Sequence, residues 1–382
     1  MAFADPLPET PATPNDPETG GTLTVDLDAV ADNWQALTRR LLTVECGAVV
    51  KAHGYGLGLE PITARLAKAG CKTFFVADIA EARRARSSAP KAAIYVLNGF
   101  SPEAAHAYAE LNVQPVINST MELAEWDTFV AGQCFRGGAA LHIDTGMNRL
   151  GMSAEEAAAL ALRLQQENHG ITLLMSHLAC AEVPDHPLNA RQIRLFRELR
   201  ILYHGVPASL ANSSGIFIGE TAHFDLARPG AALYGINPTP GRDNPMRSVL
   251  TLSGRILQVR KVPQGESVGY GAAWNVKRAS RVAVAALGYA DGLARAGSGL
   301  DRKGGGHAVV AGKHCPIVGY ISMDLTCIDV TDLPDNAVSR GDSAIFIGDD
   351  LTVDEVATAA GTIGYEILVR LGSRCHLAYR GA

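Results

Sequence analysis

The chain has 382 residues, 47% hydrophobic and 19% charged, with a formal net charge of -5 and a pI near 6.1. That length buries a sizeable core and suggests two or so domains, and the charge balance, with no Lys/Arg-rich run, excludes a protein that tracks nucleic-acid phosphates. No apolar run approaches the ~18 to 20 residues of a membrane span.

Residues 1–21 carry acids and prolines but no basic or continuous apolar stretch, so they read as a disordered tail and not as a secretory signal. A short strand is expected over 23–26. A helix comes next, with Leu27, Val30, Trp34, Leu37 and Leu41 at helical spacing. Apolar runs of buried-strand length then recur at 48–51, 74–78, 94–99, 114–118, 140–146, 173–178, 208–213 and 224–230. Helical stretches separate most of them; that over 153–166 opens on Ser153 and Glu156, a capping-box pair. Eight strands alternating with helices predict an α/β chain built on an N-terminal (β/α)8 TIM-type barrel over 22–240, its first strand open to joining the C-terminal domain. After the Pro/Gly-rich segment 236–245 the pattern changes. Strand-like runs at 249–262, 281–287 and 308–329, with helices only at 353–360 and 365–371, predict that this domain, over 241–382, is mainly β. The seven cysteines are scattered without a C-x-x-C pair, which fits reduced thiols in a cytoplasmic protein better than disulfides or a metal site.

Barrel chemistry gathers at the C-terminal strand ends. The run at 48–51 ends in a lysine followed by a glycine-rich loop, VVKAHGYGLG. An amine there is either a solvated rim residue or a group with a depressed pKa, suited to Schiff-base formation. Hydroxyls and small residues that suit a phosphate lie after the seventh and eighth runs, in ANSS (211–214) and ARPG (227–230). Read alone, ANSS is also an ordinary turn, and Arg228 is also a partner for Asp225.

AVVKAHGYGLG resembles the pyridoxal-phosphate motif of the alanine racemase family, and the likeness runs through DTGMNRLG, SHLA, ANSS, ARPGAALYG, VGYGAAW, GYADG and ISMD in the family's order. The resemblance implies a racemase that carries pyridoxal 5'-phosphate on Lys51 and acts on alanine by two bases. Lys51 serves one face and Tyr270 of a second subunit the other, in a homodimer with shared sites. It implies cofactor contacts from Tyr55, His177, Asn212, Ser213, Arg228, Gly230 and Ala231, and substrate contacts from Arg149, Met323 and Asp324, with Tyr289 narrowing the entrance. Supply of D-alanine for peptidoglycan is a further implication of the family. Racemases of broader specificity for serine or larger amino acids, other barrel-type pyridoxal enzymes, and non-catalytic cofactor carriers are the competing classes. The last usually lack a second domain, and the decarboxylase and aldolase types are disfavoured by Arg228 and by Tyr270 in its family context.

Two positions depart from the family pattern. His142 stands where a lysine is often carbamylated to orient the arginine matching Arg149, so that orientation falls to a bound anion or to His142 itself. Ser373 stands where some members place a phosphate-binding tyrosine, and is a weak candidate for that role.

Overall fold

The structure, a computed structural model, describes residues 18–133, 137–164, 170–372 and 374–381. The greater part of the expected tail, Cys134 and Ser373 lie outside them. Seven parallel strands, Ala48–Val49, Thr73–Val76, Ala93–Val96, Gln114–Ile117, Ala139–His142, Ile171–Met175 and Ala208–Ser209, form one sheet in chain order. The eighth, Leu226–Ala227, pairs in parallel with Glu45–Cys46, one residue ahead of the first strand. Gly47 and Val49 donate to Ala227 and Pro229 on one side of it, and Asp225 donates to Ala208 on the other, so the cylinder closes. Phe75, Tyr95, Val116, Ala140, Leu173, Met175 and Leu226 fill a shared core, as inward-facing barrel positions do.

The strands are shorter than the apolar runs that predict them. Val50, Leu178, Leu210 and Ala211 leave the ladders yet stay buried, so the ends of those runs are loops packed over the barrel mouth. The helix Ala154–Leu164 begins at the expected capping box: Glu156 N–H donates to Ser153 Oγ at 3.1 Å, and Ser153 N–H to Glu156 Oε2 at 2.8 Å.

The chain divides into two units: Ala29–Arg247 is one, and the segment ending at Asp28 joins the segment from Ser248 onward as the other. In the second, strand Gly21–Asp26 lies between Leu250–Val262, antiparallel, and His376–Arg380, parallel. Leu250–Val262 alternates buried and half-buried residues over its first half, and register shifts at 252/253 and 256/258 let it also pair with Ser343–Ile347 and Ser280–Ala285. The expected run 308–329 is three strands, because Ala311 and Gly312 turn the chain with φ of 49° and 73° and residues 317–325 leave the ladder. Helices Val353–Ala360 and Gly364–Arg370 fall where periodicity places them, the first capped reciprocally by Thr352 and Glu355. Strands Ser343–Ile347 and His376–Arg380 are not evident from local pattern. Among the described residues no helix is long and apolar enough to cross a membrane.

One local feature of the barrel sets the candidate site. The first strand ends at Val49 and Lys51 opens a single turn, Lys51–Tyr55, in which Ala52, His53, Gly54 and Tyr55 have φ of 54°, 58°, 64° and 54°. Left-handed backbone costs ~1–2 kcal/mol for a residue with a Cβ, so three of these four need support. Gly54 N–H donates to Val50 at 3.0 Å and Gly56 N–H to Ala52 at 2.8 Å. The rest comes from Glu81, in the first turn of helix Ile79–Ser88, whose own N–H is capped by Asp78 at 2.9 Å. The Glu81 carboxylate accepts Ala77 N–H and, across to the turn, His53 N–H, each at 2.9 Å. Replacing Glu81 by Ala strands the part-buried Ala77 N–H, leaves the exposed His53 N–H to water, and costs about 1 kcal/mol. The change is expected as a lowered urea midpoint of barrel unfolding, less lowered in Glu81→Gln; a midpoint unchanged in Glu81→Ala contradicts the brace.

Candidate active site

Lys51 leaves the barrel strand half-buried. Burial, then the positive charge of Arg149, hold its amine below the usual lysine range, with Glu81 partly opposing them. Arg149 rides on the loop after strand Ala139–His142. Asp144 folds that loop by accepting three main-chain N–H groups at 2.8 Å, from Gly146, Met147 and Asn148. The loop closes on itself where Met152 N–H donates to His142 O at 2.9 Å and Asp144 N–H to Met152 O at 2.8 Å. Arg149 is exposed, with no hydrogen bond or ion pair among the described residues.

Arg228 comes directly after the eighth strand and is buried, at 4% exposure. Its guanidinium donates to Ser209 Oγ, to Ser176 O at 2.6 Å and to His177 Nδ1 at 3.4 Å. No carboxylate pairs with it among the described residues. Asp225, the sequence's alternative partner, takes Arg200 at 2.7 Å and Ala208 N–H at 2.8 Å. Burial pushes the guanidinium down to about 9, so it stays cationic at neutral pH. Burial and then Arg228 hold both His142 and His177 below the usual imidazole range, the former at about 4. An imidazole that accepts from a guanidinium at Nδ1 carries its proton on Nε2, so neutral His177 has an N–H donor to spare.

A third group of residues forms a small cradle. Tyr55 stacks on Tyr234, with ring centroids 4.3 Å apart, and the Tyr234 hydroxyl donates to Val49 O at 3.1 Å. This stacking sets the Tyr55 hydroxyl against Gly230, where an added Cβ would lie 2.2 Å from it. Only glycine fits there. Ser213 Oγ accepts Gly230 N–H at 3.0 Å and Ala232 N–H at 3.1 Å, while buried Ala231 N–H meets no acceptor among the described residues. Asn212 Oδ1 is used within its own turn, accepting Gly215 N–H at 2.8 Å.

Lys51, Tyr55, Arg149, His177, Ser213, Arg228, Gly230 and Ala231 therefore all belong to the loops of one barrel face. Lys51, Arg149, Arg228 and His142 are close enough to bear on the charge of His177. Such a site, rich in cations and closed to a Cβ at Gly230, suits an anionic ligand that reacts with an amine. Lys51, the cradle and the unneutralised Arg228 fit pyridoxal phosphate in kind: an aldehyde for the amine, a phosphate for the hydroxyls and free N–H, and a ring nitrogen as acceptor.

The remaining candidates lie in the second unit. Tyr270 is 71% exposed, on the turn between strands Ser267–Val268 and Trp274–Asn275, and its hydroxyl has no partner among the described residues. That hairpin backs onto Gly319, where a Cβ would lie 2.8 Å from Val268 O. Tyr289 N–H donates to Ser322 O and Ala290 N–H to Met323 O, each at 3.0 Å, which brings Tyr289, Met323 and Asp324 together. Arg374 locks this group by pairing with Asp324 at 2.7 Å and Asp291 at 3.3 Å. Sequence reasoning missed Arg374, Glu81, Asn118 and Gln192. Gln192 binds Thr145 and the main chain of His177 and Ala179, tying two site loops together. Of the missed or unassigned residues, Asp144 had a local signal, an Asp ahead of Thr-Gly, and Glu81 had another, standing three residues after Asp78 at a helix start.

The models of the alanine racemase N-terminal and C-terminal domains match residues 25–238 and 249–379. The chain is 50% identical over 360 residues to an alanine racemase of Methylobacterium sp. (strain 4-46), covering 94% of this chain and 98% of that one. It is 45% identical to the alanine racemase of Rhizobium meliloti (strain 1021), over 94% and 96% of the two chains. Among solved structures, alanine racemase from Bartonella henselae with covalently bound pyridoxal phosphate superposes with a TM-score of 0.88 at 36% identity, covering 94% of this chain and 99% of that one. The biosynthetic enzyme of Pseudomonas aeruginosa gives 0.88 at 32% identity, over 95% and 100%. With both domain models matched in order and relatives covered almost end to end, the chain belongs to the alanine racemase family.

Proposed function

We propose that the chain interconverts L- and D-alanine with pyridoxal 5'-phosphate held on Lys51, as a homodimer whose two sites each take Tyr270 from the other subunit. The observation that carries this reading is the barrel mouth: a half-buried amine with a lowered pKa beside Arg149 and a buried Arg228 that no carboxylate neutralises. When bound, pyridoxal phosphate withdraws electrons from an attached amino acid and acidifies its α-hydrogen.

The chain's own groups do the rest. Tyr55, Ser213, Gly230 and Ala231 hold the phosphate in the cradle, with Asn212 shaping the turn that presents Ser213. Arg228 spends three of its five N–H donors on Ser209, Ser176 and His177, which leaves two for the ring nitrogen. A guanidinium donates a hydrogen bond without giving up its proton, so Arg228 would leave the ring nitrogen of a bound cofactor unprotonated and temper the electron withdrawal the cofactor supplies. Prompt return of a proton to the α-carbon is favoured over other fates. Inversion needs a proton removed from one face and delivered to the other, and Lys51 and Tyr270 are the two groups. His177 lends its Nε2–H to the chain between Arg228 and Tyr270. Arg149 and the Met323 N–H of the other subunit receive the substrate carboxylate, with Asp324 of that subunit orienting the segment through Arg374 and its Tyr289 narrowing the approach. We place this activity in the cytoplasm, feeding D-alanine to peptidoglycan, with the barrel over 29–247 carrying the cofactor and the unit that includes residues from 248 onward lending Tyr270.

Shared sites make a direct test possible. Lys51→Ala and Tyr270→Phe homodimers are each expected to lose at least about a hundredfold in kcat. Mixed and reassociated in equal amounts, they regain roughly a quarter of parental activity, because half the dimers carry one intact site of two. Full activity of Tyr270→Phe alone in both directions, or no recovery on mixing, contradicts the shared two-base site. Among enantiopure amino acids, alanine is expected to show the highest kcat/KM; a better rate on serine or a larger substrate overturns the choice of alanine.

The lowered Lys51 pKa has a sign that can be checked. Capture of pyridoxal phosphate needs the neutral amine, which this lysine reaches at lower pH than a solvated one. Removing the nearby charge in Arg149→Gln moves the pH profile of cofactor association by the apoprotein upward. A profile that stays put or moves down contradicts the coupling.

A further inference from the structure

His142 sits at the base of the Arg149 loop: its carbonyl accepts Met152 N–H where the loop closes, and Arg149 is near the tip. Its ring is buried, with Nδ1 2.8 Å from Asn118 Oδ1. The identity of that Asn118 atom is forced. The other end of the amide lies 2.8 Å from Val116 O, a carbonyl that only accepts, so the amide nitrogen must point there and the oxygen must face His142. Nδ1 therefore carries the proton, and Asn118 is itself fixed by its N–H to Glu122 Oε2 at 2.6 Å. Burial, then Arg228, push the imidazole down to about 4 with Asp144 opposing and Arg149 adding to the fall, so His142 is neutral in use. A neutral ring protonated at Nδ1 has one acceptor lone pair, on Nε2, and no donor among the described residues reaches it. Two cations bear on this ring. Arg228 already donates to Ser209, Ser176 and His177, whereas Arg149 has no partner among the described residues, and the Asp144 carboxylate is taken by three main-chain N–H groups.

We infer that His142 is a positioning residue: in the cofactor-loaded protein its Nε2 accepts a hydrogen bond from the Arg149 guanidinium, which is without a partner among the described residues here, and aims it at the substrate carboxylate, with Asn118 selecting the tautomer that makes this possible. A neutral acceptor does the work that would otherwise need an anion, and Arg149 keeps its full charge for the substrate. The inference rests on the proposed role of Arg149 toward the carboxylate.

The holoenzyme tests it by kinetics and by spectroscopy. His142→Leu is expected to raise KM for both alanine enantiomers about tenfold with a smaller change in kcat. His142→Gln, which returns an acceptor at similar reach, restores most of that KM. In an Arg149→Ala background, His142→Leu adds no further increase. Equal damage from Leu and Gln, or additive effects in the double variant, overturns the inference. In ¹⁵N-histidine spectra, the resonances that vanish in His142→Gln are expected to be pyrrole-type at Nδ1 and pyridine-type at Nε2, with Nε2 moving in Arg149→Ala. An unmoved Nε2 resonance overturns the contact whatever KM does. An unchanged KM in Arg149→Ala with a moved resonance leaves the contact standing and removes instead the proposed carboxylate role.

Discussion

The guanidinium of Arg228 is buried among a serine hydroxyl, a main-chain carbonyl and an imidazole, and no carboxylate among the described residues neutralises it. A buried cation without a counter-ion is costly, and its cost is spread over the groups around it. His142 and His177 are held neutral, and the field of the neighbouring Arg149 helps to lower the Lys51 amine. The charge deficit is a standing demand for an anionic, acceptor-bearing ligand. The cradle at Tyr55, Ser213 and Gly230 has the shape and donors to meet it. Each histidine is left as a single tautomer, His177 offering a donor and His142 an acceptor.

Positioning comes from backbone constraints that the barrel imposes before any ligand arrives. The left-handed turn at 52–55 reverses the chain within one turn, so that Lys51 and Tyr55 both belong to the barrel mouth. Glu81 holds that turn from a neighbouring helix start, and Asp144 performs the same service for the Arg149 loop. Gln192 couples the Arg149 and His177 loops through Thr145 and the His177 carbonyl. In the second unit the Asp291–Arg374–Asp324 chain locks the Met323 segment onto the Tyr289 turn. The carboxylates that shape these loops are each committed to main-chain N–H groups or to an arginine other than Arg228.

Much of this was legible in the chain. The alternation of apolar runs and helical stretches predicts the barrel, and the capping pair Ser153/Glu156 marks a real helix start. Lys51 stood out because an amine closes an apolar run. The turn after it did not, since Ala52, His53 and Tyr55 carry no signal for positive φ, and their conformation is imposed by Glu81, 28 residues from His53. Strand His376–Arg380 is equally silent: it is half-buried, and its partner Gly21–Asp26 lies at the far end of the chain. The tautomer of His142 depends on Asn118, 24 residues away, and so belongs to tertiary structure alone. The roles of Tyr270, Met323 and Arg149 came from the family likeness and not from spacing.

Every role proposed for the barrel mouth depends on the amine of Lys51 as the group that holds the cofactor. Protein loaded with pyridoxal phosphate, reduced with borohydride, digested and mapped by mass spectrometry tests this directly. The expected result is a pyridoxyl group on the peptide containing Lys51 and none on any peptide of Lys51→Ala. A label on a different lysine, or none in the parent, would contradict it.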